Sequence, residues 1–223
     1  MNDTHDLRAV VFDLDGLIAN TEDLYELAGD DILGRRGKTH DQELRVQMMG
    51  RPVADSFQIM IDYHALPDQL DDVLREVEDV LSRLMATSLA AMPGVYPLID
   101  KLEAADIPIA IATSGTRSYA DNVLTRLGLG HRFRFILTAE DIHRGKPDPE
   151  VYQLAAARLQ LAPPAMMVLE DSGNGCAAAV AAGAFTVAVP NRHTRQHDFS
   201  GARLLADTLS DPRIGELLRL SAH

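Results

Sequence analysis

Arg8-Ala9-Val10-Val11-Phe12-Asp13-Leu14-Asp15-Gly16 is the stretch that decides the fold. Four apolar residues, Ala9 to Phe12, run straight into two carboxylates and a glycine. So short an apolar run, stopped by turn chemistry, reads as a buried strand. A buried strand needs neighbours, and the rest of the chain must supply them.

From about residue 17 to 89 the texture is helical. Val73, Val77, Val80, Leu81 and Leu84 recur at helical spacing, and strand-like runs are absent. Gly50-Arg51-Pro52 and Leu66-Pro67 break this region into several helices, and Met92-Pro93-Gly94 ends it. Beyond it, helices predicted over 96–105, 117–127, 149–159 and 175–182 precede strands predicted over 107–112, 134–137, 166–169 and 185–189. The tail, with Leu204-Leu205 and 214–220, supplies a last strand and helix. Helices alternating with short apolar strands imply a parallel sheet covered on both faces. The expected fold is therefore α/β: a doubly wound, Rossmann-like parallel-sheet core (1–17 and 91–223) with an inserted α-helical cap (18–90).

Composition narrows the function. The 223 residues hold 21 Lys+Arg against 33 Asp+Glu, a net charge of −12, with 46% apolar and 24% charged residues. That balance fits a globular protein and not a disordered one. Net negative charge repels phosphodiester backbones, so no nucleic-acid partner is expected. The lone cysteine, Cys176, excludes an internal disulfide. The opening MNDTHDLR is polar and unlike a secretory signal, and no run approaches the roughly 18 apolar residues of a membrane helix. The cytoplasm is the expected location and no membrane partner is expected.

Open parallel sheets place their sites beyond the carboxyl ends of the strands. There the sequence puts Asp13 and Asp15, then Thr113 and Ser114, then Lys146 one loop further on, then Glu170 and Asp171. Four carboxylates on one rim repel unless a cation sits among them. Oxygen ligands suit a hard ion, and Mg²⁺ is the expected one. A divalent ion, a lysine and hydroxyl or amide donors suit a phosphoryl group. Each segment also has a bland reading: Thr113-Ser114-Gly115 and Glu170-Asp171-Ser172 as helix caps, Lys146-Pro147-Asp148-Pro149 as a turn. Capping alone does not require paired acids at two separate strands.

The segments VVFDLDG (10–16), AIATSG (110–115), GKPDPEVY (145–152) and VLEDSGNG (168–175) resemble the four ordered motifs of the haloacid dehalogenase-like hydrolase superfamily. The helical insert after the first strand resembles the cap of its β-phosphoglucomutase-like subgroup. The resemblance implies Asp13 as nucleophile and Asp15 as general acid, then base. It implies Mg²⁺ held by Asp13, the Asp15 main-chain carbonyl and Asp171, with Glu170 as a further or water-mediated ligand. Thr113, Ser114 and Lys146 would bind phosphate, with Asn174 behind them. An acid at Asp15 separates phosphate-ester chemistry from the dehalogenating and phosphonate-cleaving branches. Sugar-phosphate mutases of the subgroup carry a cap histidine where this chain has Tyr25 and a cap arginine near Val53, with Arg51 two residues away. Asn20 replaces the usual aspartate before Thr21.

The expectation is a Mg²⁺-dependent phosphatase of a small phosphorylated metabolite, such as a sugar phosphate. A β-phosphoglucomutase-like mutase and a non-catalytic phospho-ligand-binding protein are the alternatives. The cap is expected to close over the rim, and Arg51, in the loop Met49-Gly50-Arg51-Pro52, is the candidate for substrate specificity. Arg35, Arg36 and Lys38 read as a solvated helix end, Tyr25 and Tyr63 as cavity lining or packing, and Cys176 as a small apolar residue. His193 and His197 read as loop residues and not as a metal pair.

Overall fold

The computed structural model describes residues 6–48, 51 and 53–220. The chain divides into two compact units, one formed by Met1–Asn20 with Ala90–His223 and the other by Thr21–Leu89. The first is a six-stranded sheet in the order β3-β2-β1-β4-β5-β6, every neighbouring pair parallel. Its strands are β1 (Ala9–Phe12), β2 (Ile109–Ala112), β3 (Ile136–Leu137), β4 (Met166–Glu170), β5 (Phe185–Ala188) and β6 (Leu204–Leu205).

Strand residues alternate between faces. Ala9, Val11, Ala110, Ala112, Met166 and Val168 share a core with Val151, Tyr152, Ala155 and Ala178, on α7 (Glu150–Leu159) and α8 (Gly173–Ala181). Val10, Phe12, Ile109, Ile111, Met167 and Leu169 point the other way and are buried as well. No position on β1, β2 or β4 is left for a polar side chain short of the final Glu170, which explains runs that are otherwise apolar throughout. The same unit contains α5 (Val95–Ala104), α6 (Arg117–Arg126) and α9 (Pro212–Leu217).

Element ends move for local reasons. The strand expected from residue 107 begins at Ile109, because the Ile107 amide closes the preceding helix on Leu102 O and Pro108 has no N–H. The strand expected over 134–137 is paired fully only at Ile136 and Leu137, though Arg134 N still donates to Ile109 O at 2.8 Å. Short 3₁₀ turns at Ala139–Asp141 and Pro163–Ala165 have no counterpart in the sequence pattern.

The second unit consists of α1 (Thr21–Arg35), α2 (Gln42–Met48), α3 (Val53–His64) and α4 (Leu70–Thr87). On α4 the buried stripe is Val73, Val77, Val80, Leu81 and Met85, with Met85 and not Leu84 taking its last place. Arg36 is more than a solvated helix end: it donates to Ile32 O, Asp68 and Glu76, tying the end of α1 to α4. Met49, Gly50 and Pro52 of the expected cap loop lie outside the described residues. Arg51 is exposed and donates Nε to Gln47 O at 2.8 Å, capping a carbonyl at the end of α2. Among the described residues no helix is long and apolar enough to cross a membrane.

Candidate active site

The order β3-β2-β1-β4-β5-β6 reverses direction between β1 and β4, where ligands of open α/β sheets bind. Phe12 pairs with Ile111 on one side and Leu169 on the other. One residue further along, Asp13 therefore lies between Ala112 and Glu170, with Asp171 next in the chain. Asp13 N donates to Leu169 O at 3.0 Å, so the ladder carries the carboxylate out to the sheet edge.

Lys146 joins these strand ends. Its Nζ donates to Asp13 Oδ1 at 2.5 Å, Glu170 Oε1 at 2.6 Å and Ala112 O at 3.0 Å. Glu170 has no exposed surface, and each of its oxygens is engaged. Oε1 also accepts from Tyr152 OH at 2.6 Å, and Oε2 accepts from Ser172 N and Oγ. Its carboxylate packs against Gly175, where a side chain has no room. Burial works against the Lys146 ammonium, but the carboxylates of Asp13 and Glu170 outweigh it and hold its pKa well above the usual lysine value.

Asp13, Glu170 and Asp171 are all buried, with carboxylate oxygens within 4.8 Å of one another. Burial, assisted by the charges of Glu170 and Asp15, pushes Asp13 up to about 8 despite the attraction of Lys146. Three buried acids balanced by one lysine make a site short of positive charge, and an oxygen-only donor set fits a hard divalent cation. Asp171 Oδ2 is held by Asn191 Nδ2 at 2.8 Å, and the same amide donates to Gly16 O at 3.1 Å.

The turn after Asp13 sends Asp15 elsewhere. Gly16 sits at φ +76°, its N donates to Ala19 O, and Ala19 N returns to Leu14 O. The Asp15 carboxylate thus meets the end of β2: Oδ2 accepts from Thr113 Oγ1 at 3.2 Å and Oδ1 from Tyr119 OH at 2.7 Å. Thr113 is buried and Ser114 exposed, and neither caps α6; Thr116 does. Ser172 is both a cap, for α8, and a partner of Glu170.

Residues 10–189 match the haloacid dehalogenase-like hydrolase family. The chain belongs to that family. Within it, a phosphorylated carbohydrates phosphatase of Thermotoga maritima is 32% identical over 177 residues, covering 79% of this chain and 82% of that one. (DL)-glycerol-3-phosphatase 2 of Arabidopsis thaliana is 35% identical over 190 residues, covering 82% and 79%. The crystal structure of a family hydrolase from Deinococcus radiodurans R1, with bound phosphate and sodium, is similar at a TM-score of 0.82 and 26% identity, covering 98% of this chain and 100% of that one.

Other family-derived expectations resolve locally. Asn20, in place of the family's usual aspartate, accepts from Ala90 N at 2.8 Å, while its own N donates to Ala90 O and Met92 N donates to Ile18 O. The two chain passages at 18–20 and 90–92 are thereby clipped together. Asn174 is exposed in the first turn of α8. His197 Nδ1 accepts from Gly173 N, which occupies a ligand nitrogen. Burial pushes the Cys176 thiol up, as for an unreactive packed cysteine. Sequence reasoning misses Tyr119, Tyr152, Ser172 and Asn191 as members of the site. Tyr152 and Ser172 stand inside the family motifs, which is the available signal; Tyr119 and Asn191 give none.

Proposed function

We propose that this protein is a Mg²⁺-dependent phosphatase that cleaves a small phosphorylated metabolite, a sugar phosphate for instance, through an aspartyl phosphate on Asp13. At the coarser level the chain is a phosphoric monoester hydrolase of the haloacid dehalogenase-like type. One observation carries the finer reading: Lys146 Nζ bridges Asp13 and Glu170 while Asp171 completes a buried acid cluster beside it.

In this reading Asp13 attacks phosphorus in line, forming the Asp13–phosphorus bond as the bond to the leaving oxygen breaks. Asp15 gives that oxygen a proton, then takes one from the water that hydrolyses the aspartyl phosphate. Lys146 orients Asp13 and adds a fixed positive charge beside the phosphoryl oxygens, with Glu170 and Tyr152 holding it. Thr113 and the Ser114 amide bind phosphate oxygens. The Asp13 carboxylate, the Asp15 main-chain carbonyl and Asp171 would hold Mg²⁺, with Glu170 as a further or water-mediated ligand. When bound, the ion supplies charge neutralisation at Asp13 and the phosphoryl oxygens. Arg51 is assigned, on sequence pattern, to recognition of the substrate's polar groups. The relatives named for phosphorylated carbohydrates and glycerol 3-phosphate support a small hydroxyl-rich substrate. Tyr25 and Val53, where mutases carry histidine and arginine, favour hydrolysis over isomerisation.

The test is Mg²⁺-dependent release of inorganic phosphate from 4-nitrophenyl phosphate and from a panel of phosphorylated metabolites. Asp13→Asn is expected to abolish it, and substantial release by that variant overturns the nucleophile assignment. β-Glucose 1-phosphate isomerised without phosphate release, followed by NMR, would replace the phosphatase with a mutase.

A further inference from the structure

We propose that Tyr119 is a positioning residue for proton transfer by Asp15: its hydroxyl fixes the direction of that carboxylate and thereby governs the expulsion of poor leaving groups. The inference rests on the acid–base role proposed for Asp15. Its own support is geometric. The Asp15 carboxylate accepts a hydrogen bond on each oxygen, from Tyr119 OH on Oδ1 at 2.7 Å and from Thr113 Oγ1 on Oδ2 at 3.2 Å. Both donors come from one short stretch, the end of β2 and the first turn of α6, and are fixed within it. Thr113 Oγ1 accepts from Gly115 N at 3.0 Å, and Tyr119 N donates to the capping Thr116 Oγ1. The Tyr119 ring passes so close to Gly115 that a Cβ there would stand 2.9 Å from its Cδ1. A glycine at 115 is what lets the ring reach Asp15.

A general acid acts only when its oxygen faces the leaving oxygen, and small misplacements are costly. Thr113 has one hydroxyl proton, which serves either Asp15 or a phosphate oxygen, so once phosphate binds the Tyr119 hydroxyl on Oδ1 continues to resist rotation of the carboxylate. Without the Tyr119 hydroxyl, Oδ1 loses the shorter of these two bonds and the carboxylate gains freedom to turn. The consequence falls on substrates whose leaving oxygen needs a proton and spares those that depart as stable anions.

Tyr119→Phe removes one oxygen and keeps the ring. The measurement is kcat/KM for phenyl phosphate and for 2,4-dinitrophenyl phosphate at saturating Mg²⁺, since kcat/KM runs through departure of the leaving group. Tyr119→Phe is expected to lower the phenyl value about tenfold and the dinitrophenyl value less than about twofold, a fraction of what general acid catalysis supplies. Asp15→Asn is measured alongside and is expected to show the same selectivity more strongly. If Asp15→Asn discriminates between the substrates and Tyr119→Phe lowers both equally, or neither, the positioning role is refuted. If Asp15→Asn itself lowers both equally, the acid role of Asp15 fails, and the role of Tyr119 with it.

Discussion

Replacing Gly175 by alanine would place a Cβ 1.8 Å from Glu170 Oε1 and 2.0 Å from its Cδ. Carbon and oxygen approach no closer than about 3.3 Å in ordinary contacts, so the overlap exceeds an ångström. The carboxylate cannot step aside, because Lys146, Tyr152 and Ser172 hold both its oxygens and it has no exposed surface. The helix cannot easily retreat either, because Gly175 N is tied to the capping Ser172 Oγ at 3.1 Å, two residues beyond the end of β4. Relief therefore separates Glu170 from Lys146. Breaking one side of a buried ion pair costs about 3–5 kcal/mol, and alanine returns about 1 kcal/mol of helix propensity. The expected net loss is about 2–4 kcal/mol, a large share of the roughly 5–15 kcal/mol that holds a domain together. Urea unfolding followed by circular dichroism measures it. Gly34→Ala, in α1, is the matched control: nothing lies within 4 Å of its added Cβ. That variant is expected to gain up to about 1 kcal/mol. The reasoning is refuted if Gly175→Ala loses less than about 1 kcal/mol, or shifts in the same direction as Gly34→Ala.

Asn191→Ala removes the amide that holds Asp171 Oδ2 and Gly16 O. Partners of this kind contribute about 10–100-fold to metal affinity, so calorimetric titration with Mg²⁺ should show a dissociation constant raised by about that factor, and an unchanged constant counts against the proposed site. In the helical unit, His40 is buried against Gly29, with Nδ1 3.0 Å from Asp30 and Nε2 buried and unpartnered. Burial lowers its pKa from 6.5, against the charge of Asp30. The unfolded chain then binds the proton more tightly, so this contribution to stability is complete above about pH 6.5 and is lost as pH falls toward the lowered folded value. Urea midpoints of His40→Asn should therefore fall less on acidification than those of the parent, and parallel curves would contradict this.

The parallel sheet was legible because its central strands are buried on both faces, which leaves uninterrupted apolar runs such as Ala9 to Phe12 and Met166 to Leu169. The strand ends were legible for the same reason: the first residue past the apolar run is the first that can be charged. β3 was harder to delimit, since only Ile136 and Leu137 are fully paired in it. The partners of the strand-end acids were mostly illegible. Tyr119 lies 104 residues from Asp15, and Asn191 lies 20 from Asp171 and 175 from Gly16. A hydroxyl or amide becomes a partner only when the fold brings it there, and no periodicity marks it beforehand. Arg36 shows the opposite limit: its place in a basic run suggested solvent, whereas two acids across a helix pair claim it.

Asp13 and Asp15 are two residues apart and differ in their hydrogen-bond partners. Asp13 stands among charges, with one lysine and two further acids, where its ionised form is under strain unless a cation arrives. Asp15 accepts from two neutral hydroxyls at the next strand over, while its charge is still felt at Asp13. In the proposed mechanism the nucleophile benefits from the first arrangement, since compensating cations also draw in a phosphoryl group, and the acid–base residue benefits from the second, where donors orient it. An extended chain would point both side chains to the same face of the sheet and into one neighbourhood. Behind Asp15 the chain turns at Gly16, whose φ is +76°. A Cβ there would stand 2.6 Å from Asp171 Oδ2 and 2.7 Å from Asn191 Nδ2. The position must therefore be left-handed to turn the chain beyond the two aspartates and bare to let Asp171 close beside the first of them, and glycine alone meets both demands.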